Sequence, residues 1–498
     1  MLRGGLATFT GNAWAVVVGV VTLPIALRGL GAERFGLWVL LQTLSAVSGW
    51  LSLADLGLRA AVVREVAHAQ GRGDPAAADR IAGTATRVYG ALAVVVALVT
   101  IVIGHTLLPD WFGTPSDLHD DFRSATLWFS AQIAAELMLV AAQALIEGSQ
   151  RVAVARGVHA LRATAIAFGV SIAATRSGSL GTVAAVSAAV TCFSAAIAWL
   201  LAFRLTTTRP RGWSSSVARQ LVRYGSQIGA INATGVLHRT MDRIVIAAIY
   251  GPAAVALVEI ATQIANGVSI ALSVAYPLTA TASWVDGRGD RDGLRRLLVR
   301  GTKLTLLATL PATAIGTILA ANVVEVWMGA RWIEAGGLTT LAVAGVSLAA
   351  PSQAASLILQ ATGRARDVLG PAILAVGVNL VLTVWLARAF GIAGVFWATI
   401  VTASALGVPI VRHALARTQT AGGALLRAAL MPTVLPALVT FGGAAIGRSV
   451  DNGLTGLCVG AGIAAIAWAG SAWRVGLDDA DRDAVTEGLS LRRLARSR

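Results

Sequence analysis

The chain has 498 residues, 56% hydrophobic and only 13% charged, with a mean hydropathy of +0.72. Ordinary soluble domains carry roughly 25% charged residues, so the three or so soluble domains that this length would suggest could not be solvated. The net charge of +15 would fit nucleic-acid binding only on a soluble fold with a basic face, and that class is excluded. What remains is an all-α polytopic membrane protein.

A helix crosses ~30 Å of hydrocarbon with about 20 apolar residues. Apolar runs set against polar breaks predict about fourteen spans by that measure. In chain order they are 6–27, 37–57, 89–108, 124–146, 157–175, 180–203 and 225–249, then 253–277, 302–323, 337–360, 368–387, 391–411, 428–446 and 453–473. Spans 157–175 and 225–249 are the least apolar, because each contains Arg or Asp. The distribution of Lys and Arg supports the count. With both termini cytoplasmic, 31 of the 40 fall in inner segments and 7 in outer loops. The last two, Arg239 and Arg243, lie within span seven. The first span has a longer apolar run than a signal peptide and no clean cleavage site, so it is expected to remain. Cys192 and Cys458 both fall in spans and read as small apolar fillers.

Gly71-Arg72-Gly73-Asp74 recurs as Gly287-Arg288-Gly289-Asp290, each copy followed by a polar helical stretch and then an apolar span. Upstream, the stretch from Leu30 to Leu37 faces that from Tyr250 to Leu257. These matches imply a duplication. The two halves would be similarly oriented six-helix bundles, with two extra C-terminal helices, around a central cavity. The expected division is 1–210 and 211–415 for the bundles, 416–474 for the extra spans and 475–498 for a cytoplasmic tail.

Catalytic machinery is not evident. The longest outer loop, about residues 109–123, has no room for a catalytic domain. Lys303, the one lysine, follows Thr302, so no phosphate-binding Gly-Lys-Ser/Thr loop exists. The six histidines are scattered without ligand spacing, and neither metal nor cofactor is expected.

Ionisable groups at membrane depth are costly, so they mark candidate sites. Asn232, Arg239 and Arg243 share one face of span seven, which also carries Asp242. Glu259, Gln263 and Asn266 share a face of span eight, and Gln132, Glu136 and Gln143 a face of span four. The functional reading is a hydrated cavity in which Arg239 and Arg243, with Asn232, bind an anionic headgroup, since guanidinium forks fit phosphate oxygens. Glu259, Glu136, Asp242, Gln263 and Asn266 would line it or couple ions. The structural alternative pairs Asp242 with an arginine and uses the other polar groups to join helices.

Several stretches resemble the polysaccharide biosynthesis (Wzx-type) oligosaccharide flippases of the multidrug/oligosaccharidyl-lipid/polysaccharide exporter superfamily. They are Leu30-Gly31-Ala32-Glu33-Arg34-Phe35-Gly36-Leu37-Trp38, Ala54-Asp55-Leu56-Gly57-Leu58 with Arg64 and Ala67, and Asp242-Arg243-Ile244-Val245-Ile246. Gly363-Arg364, Asn379-Leu380 and Phe390-Gly391-Ile392-Ala393-Gly394 complete the set. Phe35 stands where the family often has Tyr.

The resemblance implies an alternating-access flippase. It would move a polyprenyl-pyrophosphate-linked oligosaccharide across a bacterial cytoplasmic membrane, alongside glycan assembly enzymes and membrane lipids, with H+ or Na+ as the coupled cation. Its cavity charges would fall on Arg239, Arg243 and Glu259. Alternatives within the superfamily are an ion-coupled multidrug exporter and a lipid II flippase. A membrane glycan polymerase or glycosyltransferase is the alternative from another class, although no enzymatic activity is expected.

Overall fold

A computed structural model describes residues 2–46, 49–55, 57–275, 277–451, 453–479 and 482. Inside the helix over 215–250, the side chains at 227, 228, 230–232, 234, 235, 238 and 239 lie outside that description. The candidate side chains of Asn232 and Arg239 are therefore among those not described.

The described chain is almost wholly helical. In order the helices are α1 (Leu2–Thr43, kinked at Gly31, where the backbone is not helical), α2 (Leu58–Gly71), α3 (Pro75–Thr106), the single turn α4 (Leu108–Trp111), α5 (His119–Gly148), α6 (Val152–Ser177) and α7 (Leu180–Leu205). Next come α8 (Ser215–Tyr250), α9 (Pro252–Leu272), α10 (Pro277–Gly287), α11 (Arg291–Ile318), α12 (Ala320–Met328), α13 (Ala335–Leu348) and α14 (Ala350–Ala361). The last are α15 (Arg366–Phe390), α16 (Ala393–Arg417), the single turn α17 (Gly422–Leu425), α18 (Met431–Val450) and α19 (Leu454–Ser471).

Among the described residues, eleven helical segments are long and apolar enough to cross a membrane, or twelve if the bent pair α11–α12 is one span. The expected fourteen is not reached, and the reasons are local. The expected span 37–57 is broken: α1 ends at Thr43, and a single turn at Trp50–Asp55 precedes α2. The expected span 225–249 lies inside the 36-residue α8, where Arg239, Asp242 and Arg243 interrupt the apolar run.

By its internal contacts the chain forms two compact units, Met1–Glu259 with Asn379–Val395, and Ile260–Val378 with Phe396–Arg498. In the first, α5 is the central helix. Its most apolar stretch is 78% buried, against 28–39% for α3, α6 and α7. A helix apolar on every side belongs in such a position. Phe122, Phe129, Ile133, Leu137 and Leu145 of α5 are fully buried. The neighbouring helices instead turn apolar side chains outward: Val94, Val95, Leu98 and Val102 of α3 are all more than half exposed. Contiguous apolar surface of this kind suits hydrocarbon. At 1.5 Å per residue the 32-residue α3 is about 48 Å long, so its arginine-bearing first turns extend beyond a hydrocarbon layer of ~30 Å.

In the second unit α11 packs against α13, α14 and α18. Helices α18 and α19 approach so closely at Gly447 that a Cβ there would lie 2.2 Å from the Gly460 Cα. Small residues permit such backbone contact in membranes. Lys303 of α11 is buried and donates to Asp478 at 3.0 Å. Cys192 and Cys458 are free and exposed, on α7 and α19, so they do not fill the interior as expected.

The repeated tetrapeptide folds identically in both copies. Gly73 and Gly289 each have φ of 69°, the left-handed conformation that closes a helix C-terminus. The following aspartate then caps the next helix: Asp74 accepts from the Ala77 amide at 2.8 Å and Asp290 from the Gly293 amide at 2.7 Å. Gly31 and Gly251 also share positive φ, as do Gly113 and Gly329, and Gly178 and Gly391. The Gly113 and Gly329 pairing extends into sequence as Trp111-Phe112-Gly113 and Trp327-Met328-Gly329. The duplication is thus written in the turns more clearly than in the spans.

Candidate functional site

The turn at Gly251 brings the first turns of α9, up to Glu259, beside the end of α8. Arg243 and Glu259 each stand eight residues from that glycine, hence at the same depth, about 12 Å from the turn along either helix. They meet there. Arg243 donates to Glu259 Oε2 from Nε at 3.0 Å and from Nη2 at 2.8 Å. Their side chains keep 21% and 17% exposure, so the pair is partly enclosed yet reachable. Asp242 does not take this arginine; its Oδ1 accepts from Thr383 Oγ1 of α15 at 3.5 Å. Gln263 and Asn266 follow Glu259 on α9 at helical spacing, in the stretch assigned to the second unit.

Glu136 occupies a different environment. Expected to line a cavity, it is fully buried at the centre of the first unit, and four donors converge on it. The Ser45 hydroxyl lies at 3.0 Å, the Ala46 amide at 2.8 Å and the Gln132 amide nitrogen at 3.1 Å, with Arg162 Nη2 in direct contact. The arrangement explains the break after α1. Where the helix unwinds, the Ala46 amide loses its helical partner, and a backbone donor cannot remain unpaired at membrane depth. Glu136 supplies the acceptor. Gln132 and Gln143 are buried beside it on α5, and Gln132 Nε2 also reaches Gln42 Oε1 at 3.5 Å.

Arg162 is the residue that sequence reasoning missed. Near an inner span boundary it reads as one more topological cation. In the fold its side chain is only 8% exposed, paired with Glu136, and its Nε lies 3.4 Å from Thr191 Oγ1. The available signal was its place inside α6, continuous with the apolar run. Asp55 was noted only within a motif; it accepts from the buried Tyr89 hydroxyl and, at 3.5 Å, from the Arg59 amide. Arg59 in turn pairs with Glu147 at 2.8 Å.

A cavity of about 720 Å³ opens elsewhere in the first unit, where α2, the start of α3 and the start of α8 converge. Arg64, Arg72, Arg80 and Arg223 line it, with His68, Glu65 and Tyr224. Arg223 and Arg243 are twenty residues apart on α8, about 30 Å along its axis. Among the described side chains, none of the candidate residues in the spans lines this cavity.

This fold is shared with solved transporters. The chain superposes on the lipid II flippase MurJ in an inward closed conformation with a TM-score of 0.72 at 11% identity, covering 95% of this chain and 98% of that one. An inward-facing multidrug resistance MATE family transporter of the MOP superfamily gives 0.65 at 16% identity, covering 84% and 96%. An outward-facing MATE family transporter gives 0.60 at 15% identity, covering 84% and 95%. No curated protein matches the chain by sequence. The fold described here is therefore the one that these solved transporters share.

Residues 126–336 match the family described as polysaccharide biosynthesis protein. That stretch is less than half of the chain, and it includes the Asp242–Ile246 motif that carries the resemblance in the sequence.

Proposed function

We infer that the protein is a flippase that moves a lipid-linked oligosaccharide, carried on a polyprenyl pyrophosphate, from the inner to the outer leaflet of a bacterial cytoplasmic membrane. Both termini would be cytoplasmic, and no covalent chemistry would be performed on the cargo. The match of residues 126–336 to polysaccharide biosynthesis proteins carries this reading, because the fold alone is common to drug exporters and a lipid II flippase.

The Arg243–Glu259 pair falls inside the matched stretch and supplies a mechanism. Breaking a partly enclosed ion pair is costly unless another charge replaces the lost partner. A pyrophosphate offers that replacement, since its oxygens can displace the Glu259 carboxylate on the same guanidinium. The released carboxylate is then free to take a proton or cation, which would link cargo binding to an ion. Arg239 is placed beside Arg243 in this role by helical spacing on α8.

Reconstituted vesicles carrying a fluorescent undecaprenyl-pyrophosphate oligosaccharide in one leaflet test the proposal. Exposure of the sugar to an impermeant lectin on the other side, with the lipid unchanged in mass, is the expected result. A changed mass would indicate an enzyme. Movement of lipid II alone, or of a cationic dye alone, would transfer the assignment to those alternatives.

A further inference from the structure

The basic cavity at α2, α3 and α8 is not accounted for by topology. A bias of arginine toward one side of the membrane explains which end of the helices carries charge, but it does not require side chains to converge. Here four arginines from three helices, spread over about 160 positions from Arg64 to Arg223, face a single space of about 720 Å³.

Their partnering is unequal. Arg64 is held in place, with its guanidinium 4.4 Å from the centre of the Tyr224 ring and Nη1 3.4 Å from Glu65. Arg72, Arg80 and Arg223 make no ion pair with any described carboxylate, although Glu65 shares the cavity. Three unneutralised cations and His68 around one concavity produce a strongly positive local field.

The walls are firm. Asp74 caps α3 by accepting from the Ala77 amide, three residues on, and the segment of chain leading into α8 is tied to α3. The Arg211 amide donates to the Asp79 carbonyl at 3.1 Å, the Arg209 amide to Asp79 Oδ1 at 2.5 Å, and the Ser214 amide to Thr84 Oγ1 at 3.1 Å. The carboxylate of Asp79 is thereby turned to the backbone of the connecting segment and does not appear among the residues lining the cavity.

We propose that this cavity is a binding site for a phosphate or diphosphate group presented at the arginine-rich face of the membrane, separate from the Arg243 pair. Arginine is suited to it because each guanidinium offers paired donors to phosphate oxygens and remains charged at any physiological pH. The volume lies within the usual range for small-molecule sites, roughly 300–1,000 Å³, and accommodates a diphosphate with part of what it is attached to. The same chemistry could reach the site as a soluble diphosphate or as the headgroup of an anionic lipid. The site does not depend on the nature of the transported cargo.

The full-length protein in phosphatidylcholine nanodiscs provides the test. Inorganic pyrophosphate is titrated in by calorimetry. In a parallel arm, phosphatidylglycerol is added to the nanodiscs and the shift in unfolding temperature is followed. Binding in the first arm identifies a soluble anion, and stabilisation in the second alone identifies a lipid headgroup; either supports the site.

In whichever arm responds, Arg72→Gln/Arg80→Gln/Arg223→Gln should weaken the effect at least about tenfold, the least expected from removing charge-assisted hydrogen bonds. Arg72→Lys/Arg80→Lys/Arg223→Lys should retain part of it, which separates charge from folding. Arg291→Gln/Arg295→Gln/Arg412→Gln removes the same charge at exposed positions that do not line the cavity and should leave binding unchanged. No response to either probe overturns the proposal. So does an equal loss in the triple variant outside the cavity lining, because bulk charge would then be the cause.

Discussion

Arg162 and Glu136 form an ion pair inside the first unit, with side-chain exposures of only 8% and 0%. The pair joins α6 to α5 and, through the Ser45 hydroxyl and the Ala46 amide, fixes the point where α1 unwinds. A carboxylate with four donors is a frame element rather than a free binding group.

Removing one member should therefore be more damaging than its single ion pair suggests. Arg162→Ala or Glu136→Ala is expected to destabilise the protein by about 3–5 kcal/mol, because each leaves an uncompensated buried partner. Arg162→Met combined with Glu136→Leu should cost less than the sum of the two single changes. Unfolding in detergent, followed by tryptophan fluorescence, measures all three. Additive losses would show that the two residues are not energetically coupled.

The Arg243–Glu259 pair calls for a different experiment. Arg243→Ala is expected to abolish translocation while leaving membrane insertion intact, and Arg239→Ala to do the same. The exchange Arg243→Glu/Glu259→Arg keeps a pair of opposite charges but moves the cation to α9. Loss of transport in the exchanged protein, with normal expression, would favour a position-specific role for the guanidinium. Full transport by that protein would reduce the pair to a structural contact.

The duplicated caps make a third prediction. Asp74→Ala and Asp290→Ala should each cost about 1 kcal/mol of stability, the usual loss for a side-chain N-cap. Equilibrium unfolding in mild detergent and denaturant would compare them. Similar losses are expected, since each cap accepts from the amide three residues ahead at nearly the same distance. A neutral effect at both positions would mean that packing, and not capping, sets where α3 and α11 begin.

The helices were legible because a run of about 20 apolar residues has few other uses. The repeat was legible because Gly73 and Gly289 both satisfy a left-handed turn that other residues adopt at a cost. The break after Thr43 was not, since nothing in the apolar run announces it; the unwound amide depends on Glu136, 90 residues away.

Partnerships between charges were also hidden. Helical spacing placed Arg243 and Glu259 on faces of adjacent spans, but the depth at which they meet is set by the Gly251 turn. Arg162 was absorbed into a count of inner cations that it left on folding. The cavity arginines were absorbed in the same way, because a sidedness rule registers number and not convergence.

Lys303 carries a last consequence. The chain has one lysine, and it is enclosed in α11 with its ammonium against Asp478, just past the end of the final helix. Amine-directed labels and crosslinkers would thus find their only side-chain target shielded. Trimming the chain before Asp478 to obtain a tidier fragment would also strip that carboxylate from a cation embedded in the wall of the second unit.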